Sequence, residues 1–168
     1  MTRIIAGKAR GARLDVPHAG TRPTSDRVRE SLFGALESAD AIVGARVLDL
    51  YAGSGALGLE TLSRGAASAD LVEHGRDAAS VVRRNAATVA KAGASGARVH
   101  QSTVRSFLQR ASGPYDLVFS DPPYDLDDDA MTADLIALAP RLASDALVII
   151  ERARRSTPPD LRAAGLEL

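Results

Sequence analysis

Between residues 46 and 151, short apolar runs closed by turn residues alternate with longer segments whose apolar positions recur at helical spacing. This is the pattern of a parallel sheet covered by helices. The runs predict strands at Arg46–Leu50, Ala69–Glu73, Ala97–Gln101, Tyr115–Ser120 and Ala146–Glu151. Helices are predicted near Ala56–Arg64, Arg76–Ala92, Val104–Arg110 and Ala130–Leu142, with loops such as Gly93-Ala94-Ser95-Gly96 and Ser112-Gly113-Pro114 between elements. The expected fold is α/β, a Rossmann-like doubly wound sheet.

The segment before this array follows a different pattern. Ile4–Ala6 and Ala12–Val16, joined through Gly7 and Gly11, predict a β-hairpin. A helix follows, with Thr24 as cap, Asp26 at the positive end of its dipole, and Val28, Leu32, Ala35 and Leu36 as the apolar face that docks on the sheet. Residues 1–38 are thus an N-terminal extension and residues 39–168 a Rossmann-like unit, packed as one compact body. A chain of 168 residues with 45% hydrophobic content suits that size.

Charge adds a direction. Lys and Arg total 21 and so do Asp and Glu, yet residues 1–35 hold seven bases and three acids, leaving a basic arm on a mildly acidic body. Such an arm draws a polyanion to one edge of the domain, or is simply a solvated arginine-rich face. The absence of cysteine excludes disulfides and thiolate chemistry, and three scattered histidines make no metal site, so no metal is expected. With no signal peptide and no apolar stretch of about 18 residues, a cytoplasmic monomer is expected.

Two motifs carry chemistry. In Asp49-Leu50-Tyr51-Ala52-Gly53-Ser54-Gly55-Ala56-Leu57-Gly58, three glycines follow a buried strand and open a helix in nucleotide-binding spacing. Glu73 ends the next strand, where a carboxylate can hold ribose hydroxyls. An anionic pyrophosphate at this turn would be repelled by Asp49. S-adenosylmethionine instead brings a sulfonium and an ammonium group, which a carboxylate stabilises, so the charge pattern favours that cofactor over a nicotinamide dinucleotide.

The second motif, Asp121-Pro122-Pro123-Tyr124, follows the strand Leu117–Ser120. Successive prolines force the chain out of the sheet in a stiff, extended form. Asp121 and nearby carbonyls can accept from an exocyclic base amine, and Tyr124 offers a face for stacking. In a doubly wound sheet the glycine loop and Asp121 face each other at the switch point between the first and fourth strands.

These residues resemble the RsmD-type guanine-N2 methyltransferases of 16S ribosomal RNA. The likeness runs through Asp49–Glu60, Ser63-Arg64-Gly65-Ala66 and Asp121–Tyr124, and through Arg3–Gly7, Arg10-Gly11 and Thr21–Phe33 at the N-terminus. It implies a class I S-adenosylmethionine-dependent methyltransferase fold, S-adenosylmethionine as donor, and the 30S subunit or its assembly intermediate as partner. It also implies that Asp49, Tyr51, Gly53, Ser54, Gly55 and Gly58 hold the methionine part and Glu73 the ribose. Asp121, Pro122, Pro123 and Tyr124 then receive the target base, and Arg10, Arg22, Arg27 and Arg29 contact RNA phosphates. Where such enzymes offer an Asp or Asn to the adenine amine, this chain has Gln101-Ser102-Thr103, so Thr103 or backbone takes that place. The family fold closes with a further antiparallel strand, whose neighbour Gly165-Leu166-Glu167-Leu168 would begin; either the sequence stops short of it or the sheet edge is open.

Other candidates read more plainly. Asp127-Asp128-Asp129 suits a helix start, His18, His74 and His100 have no converging partners, and Arg152, Arg154 and Arg155 touch RNA or water. Competing functions are an adenine-N6 or other amino methyltransferase of DNA, and a non-catalytic RNA-binding module.

Overall fold

The computed structural model describes residues 1–18 and 24–168; Arg22 and the Thr21-Arg22-Pro23 stretch of the family likeness lie outside the described residues. Two short strands, β1 (Thr2–Arg3) and β2 (Arg13–Leu14), pair antiparallel ahead of α1 (Asp26–Ser38). The alternating array then runs β3 (Arg46–Leu50), α2 (Ala56–Ser63), β4 (Ser68–Glu73), α3 (Arg76–Lys91), β5 (Ala97–Gln101), α4 (Val104–Arg110), β6 (Tyr115–Ser120), α5 (Asp128–Leu138), a 3-10 turn at Ala139–Arg141, and β7 (Leu142–Ile150). The five strands β3 to β7 form one parallel sheet in the order β5-β4-β3-β6-β7. The direction in which strands are added therefore reverses between β3 and β6, as the doubly wound expectation requires.

Alternate residues of β3 feed two cores. Val47 joins Leu59, Leu71, Val82 and Phe119 on one face, while Leu48 and Leu50 join Phe107, Val118, Met131 and Leu135 on the other. The N-terminal segment shares the first core through Ile4, Leu14, Phe33 and Leu36. Burial on both faces is why the central strands β3, β4 and β6 read as continuous apolar runs rather than alternating ones.

Several boundaries differ from the sequence expectation, each for a physical reason. The first hairpin strand lies earlier than Ile4–Ala6 and the second is a shorter stretch within Ala12–Val16, because the chain from Ile5 onward bonds to α2 instead of to its partner strand. The Ile5 N–H donates to both oxygens of buried Glu60 at 2.8 and 3.2 Å. Lys8 N–H reaches the Ser63 carbonyl at 2.8 Å, Ala9 N–H the Ser63 hydroxyl at 2.9 Å, and that hydroxyl donates to Ala6 O at 2.6 Å. The cap of α1 is Ser25, not Thr24, and its buried face is Arg29, Phe33 and Leu36, with Val28 exposed. Asp127 caps α5 by accepting from Ala130 N–H, so that helix starts earlier than expected, and β7 begins at Leu142 rather than Ala146. Residues 161–165 form turns that bury Ala164 against the second core, and no strand forms at 165–168.

Gly7 is where the hairpin loop meets α2. Its φ is +86°, and a Cβ there would lie 1.9 Å from the Ser63 carbonyl oxygen, whereas Gly11, at φ +82°, has open space. Gly11→Ala is expected to cost about 1–2 kcal/mol for the left-handed conformation alone. Gly7→Ala carries the same strain plus the overlap and is expected to cost roughly 3 kcal/mol or more. Urea denaturation of the two variants reads the difference; equal costs would show that the loop is not seated on Ser63.

Candidate active site

A cavity of about 850 Å³ opens at the carboxyl ends of the strands, between the β3 and β6 exits, where the topology places a ligand. Its floor is the turn between β3 and α2. Tyr51, with φ +58°, and Gly53, with φ +61°, bend the chain away from the sheet. Glu73, at the end of β4, braces this turn: one carboxylate oxygen accepts from Gly53 N–H at 2.9 Å and the other from Gly75 N–H at 3.1 Å. Half-buried on the cavity wall, it keeps lone pairs for hydroxyl donors such as a ribose diol.

Asp49 lies on the same wall, 1% exposed, with Oδ2 accepting from Gly58 N–H at 3.0 Å. Burial pushes its carboxyl up to about 8, with the nearby Asp121 and Glu73 adding to the rise and the Gly58 amide opposing it. Gly58 itself does not line the cavity. A Cβ there would come within 2.2 Å of Leu71, so this glycine is a packing residue that lets α2 close on the sheet. Gly55 is also buried and off the cavity surface. The expectation that Gly55 and Gly58 touch the cofactor is corrected: of the three glycines, only Gly53 lines the cavity, along with Ser54.

Tyr51 lines the cavity with its hydroxyl donating to Asp134 Oδ2 at 2.5 Å; burial and that carboxylate hold the phenol protonated. Thr103 sits at the wall where the sequence put it, its Oγ1 accepting from Ser106 N–H at 3.1 Å to cap α4. Opposite stands the strand exit after β6. Asp121 is half-buried, Pro122 buried and Pro123 exposed, and Tyr124 stands 68% exposed at the cavity rim. Burial raises Asp121 to about 6, with a further push from Glu151. Glu151 is Asp121's neighbour across the ladder, since Ser120 pairs with Ile150 and Glu151 N–H donates to Ser120 O at 2.9 Å.

The basic candidates separate. Arg10 and Arg27 are exposed, as phosphate contacts must be. Arg29 is not: it is 1% exposed, and its Nη2 donates to Asp26 Oδ1 at 2.7 Å, Thr2 Oγ1 at 2.8 Å and Arg3 O at 2.9 Å. Its assignment to the RNA surface is corrected, because the α1 face that carries it turns inward with Phe33 and Leu36.

Three participants escaped the sequence reading. Asn85, on α3, donates to Ser54 O and Asp15 O, each at 2.8 Å, and accepts from Asp15 N–H, tying the glycine turn to the N-terminal segment. The signal for it was a polar residue within the buried stripe Val81, Val82, Val89. Asp134 and Glu151 gave no such signal, since only the tertiary fold brings them to the wall.

The donor set fits S-adenosylmethionine. The cavity wall carries acids that can accept from cationic centres and hydroxyls, and the glycine turn carries Asp49 and Glu73 where a pyrophosphate would need positive charge. The sheet order and switch-point cavity are those of a doubly wound Rossmann-like fold, the architecture of the class I methyltransferases. An S-adenosylmethionine-dependent methyltransferase from Agrobacterium tumefaciens shares it, with TM-score 0.67 at 23% identity over 83% of this chain and 48% of that one. Residues 2–166 match the family described as conserved hypothetical protein 95, and the chain belongs to that family, the RsmD type its motifs resemble. It is 47% identical over 150 residues, 89% of this chain and 73% of the relative, to ribosomal RNA small subunit methyltransferase D of Escherichia coli K12. A hypothetical protein of Thermus thermophilus superposes with TM-score 0.83 at 33% identity, covering 95% of this chain and 90% of that one.

Proton linkage at Asp49 makes ligand binding depend on pH. With its pKa near 8 the carboxyl is mostly protonated at pH 7, and a cationic ligand beside it favours the anion. Binding of S-adenosylmethionine at pH 7 should therefore release protons, and affinity should climb as pH rises toward 8 and then level off. Calorimetry in buffers of different ionisation enthalpy measures the release, which Asp49→Asn should abolish; undiminished release in that variant would exclude Asp49 as its source.

Proposed function

We propose that this protein transfers a methyl group from S-adenosylmethionine to the exocyclic N2 amine of a guanine in 16S ribosomal RNA, within the small ribosomal subunit or its assembly intermediate. The observation that carries the reading is one cavity holding the Asp49–Glu73 turn on one side and Asp121–Tyr124 on the other, with Tyr124 exposed at its rim. When bound, S-adenosylmethionine supplies an electrophilic methyl group. Tyr124 stacks on the base and Pro122-Pro123 hold it at the rim. Asp121 accepts an N–H of the amine, which draws the nitrogen toward tetrahedral geometry and frees its lone pair. As the carbon–sulfur bond breaks and the carbon–nitrogen bond forms, Asp121 takes the released proton. Exposed Arg10 and Arg27 contact phosphates, joined by Arg22 from the same basic arm. The protein acts as a cytoplasmic monomer, and the likeness to a small subunit methyltransferase supports the choice of RNA over DNA.

The deciding experiment offers labelled S-adenosylmethionine with 30S subunits lacking the modification, naked 16S RNA and duplex DNA. N2-methylguanosine in the subunits is expected, and methyladenine in DNA would overturn the reading. Asp121→Ala should lose turnover while keeping cofactor affinity; normal turnover would remove Asp121 from the mechanism.

Because Asp121 must be ionised to take the proton, the rate should rise with pH through about 6. Glu151 raises that value, so Glu151→Gln should move the acid limb to lower pH. A limb that stays put would mean another group sets it.

A further inference from the structure

At the exits of β6 and β7 the fold leaves two carboxylates free. Elsewhere on the cavity wall Asp49 accepts from the Gly58 amide, Glu73 from those of Gly53 and Gly75, and Asp134 from the Tyr51 hydroxyl. The side chains of Asp121 and Glu151 accept from no described residue, although both line the cavity. They are neighbours because the residues before them, Ser120 and Ile150, pair in parallel register, and the Glu151 N–H donates to Ser120 O at 2.9 Å. Adjacent strands lie about 4.8 Å apart, so side chains leaving two such ends can meet adjacent donors on one flat ligand. Asp125 is also on the wall, but it follows Tyr124 and no strand pairing sets it beside Asp121.

Two neighbouring acceptors suit one kind of nucleobase edge. Guanine presents its N1–H next to its N2 amine, donor beside donor. In adenine and cytosine the ring nitrogen next to the exocyclic amine carries a lone pair instead. A carboxylate set against that lone pair gains no hydrogen bond and is repelled. Asp121 alone accepts from any exocyclic amine and so does not choose between bases; a second carboxylate beside it does.

We propose that Glu151 is the specificity-determining residue of the base site, its carboxylate accepting the N1–H of the target guanine while Asp121 accepts from the N2 amine. This deepens the reading of a guanine amine as methyl acceptor, and rests on it. Tyr124 then holds the plane of the base, and the two acids recognise its edge. Two carboxylates so placed repel each other, and a base that brings a donor to each relieves both.

The test changes the base and the residue together. Once the nucleotide that wild type methylates is mapped, 30S subunits are reconstituted around 16S RNA carrying guanine, 2-aminopurine or 2,6-diaminopurine at that position. Both analogues keep the 2-amine and replace N1–H by a lone pair. Relative kcat/KM is measured at about pH 8, above the value of about 6 for Asp121. Wild type should prefer guanine over both analogues by about tenfold or more, the scale of losing a hydrogen bond to a charged group. Glu151→Gln, whose amide can turn an acceptor to N1–H or a donor to the lone pair, should cut that preference about fivefold or more. The analogues' own amine reactivity is common to every enzyme and cancels in this comparison. Glu151→Ala should cut the preference as well, and decides should Glu151→Gln fail to fold; Asp125→Asn should keep it. No preference in wild type, or one unchanged in Glu151→Gln with all three substrates slowed alike, would overturn the proposal. Loss of preference in Asp125→Asn alone would also overturn it, by moving the role to Asp125. A wild type that makes no N2-methylguanosine in guanine-containing subunits would instead overturn the guanine reading itself, and this assignment with it.

Discussion

The contact between α2 and β3 governs the layout of this molecule. Gly58 lets the helix approach until a side chain would collide with Leu71, and at that distance its N–H meets the Asp49 carboxylate. One strand residue is thereby tied to the first turns of the helix, and the intervening turn closes at the switch point, where ligands bind. The far end of α2 receives the hairpin through Glu60 and Ser63. A single eight-residue helix thus carries the cavity floor at one end and the basic arm at the other.

Electrostatics at the cavity follow from the same burial. Asp49, Asp121 and Glu73 are close enough to raise the proton affinity of Asp49, and low exposure amplifies the effect. A concentration of acids costs stability in an empty fold, and protein sites keep such arrangements where a cation is to be received. That charge pattern, more than the glycine spacing, separates this site from one built for dinucleotides.

The central strands β3, β4 and β6 were legible because both their faces are buried, so each appears as an apolar run needing no tertiary knowledge; β3, β5, β6 and α4 fall where the sequence put them. The motif loops were legible because glycines and prolines dictate backbone shape locally. The hairpin was legible as a pair of strands, but its limits were not, since Ile5 answers to Glu60, fifty-five residues away. Arg29 was misplaced because a basic residue in a basic segment reads as surface, and only the packing of Phe33 and Leu36 shows which way its face turns. Asp134 and Glu151 reach the wall from elements whose own sequences carry no motif.

Tyr124 illustrates a different economy. Large exposed rings usually ride on mobile loops, and a ligand must immobilise them. Here Pro122 and Pro123 fix two successive φ angles immediately after a buried strand, and the Leu126 N–H closes back on the Pro123 carbonyl at 3.0 Å. Ordering a free residue's backbone costs about 1–2 kcal/mol. For this segment much of that loss is met during folding, so a flat partner arriving at the rim meets an aromatic face already held in place, and more of the stacking energy remains for association itself.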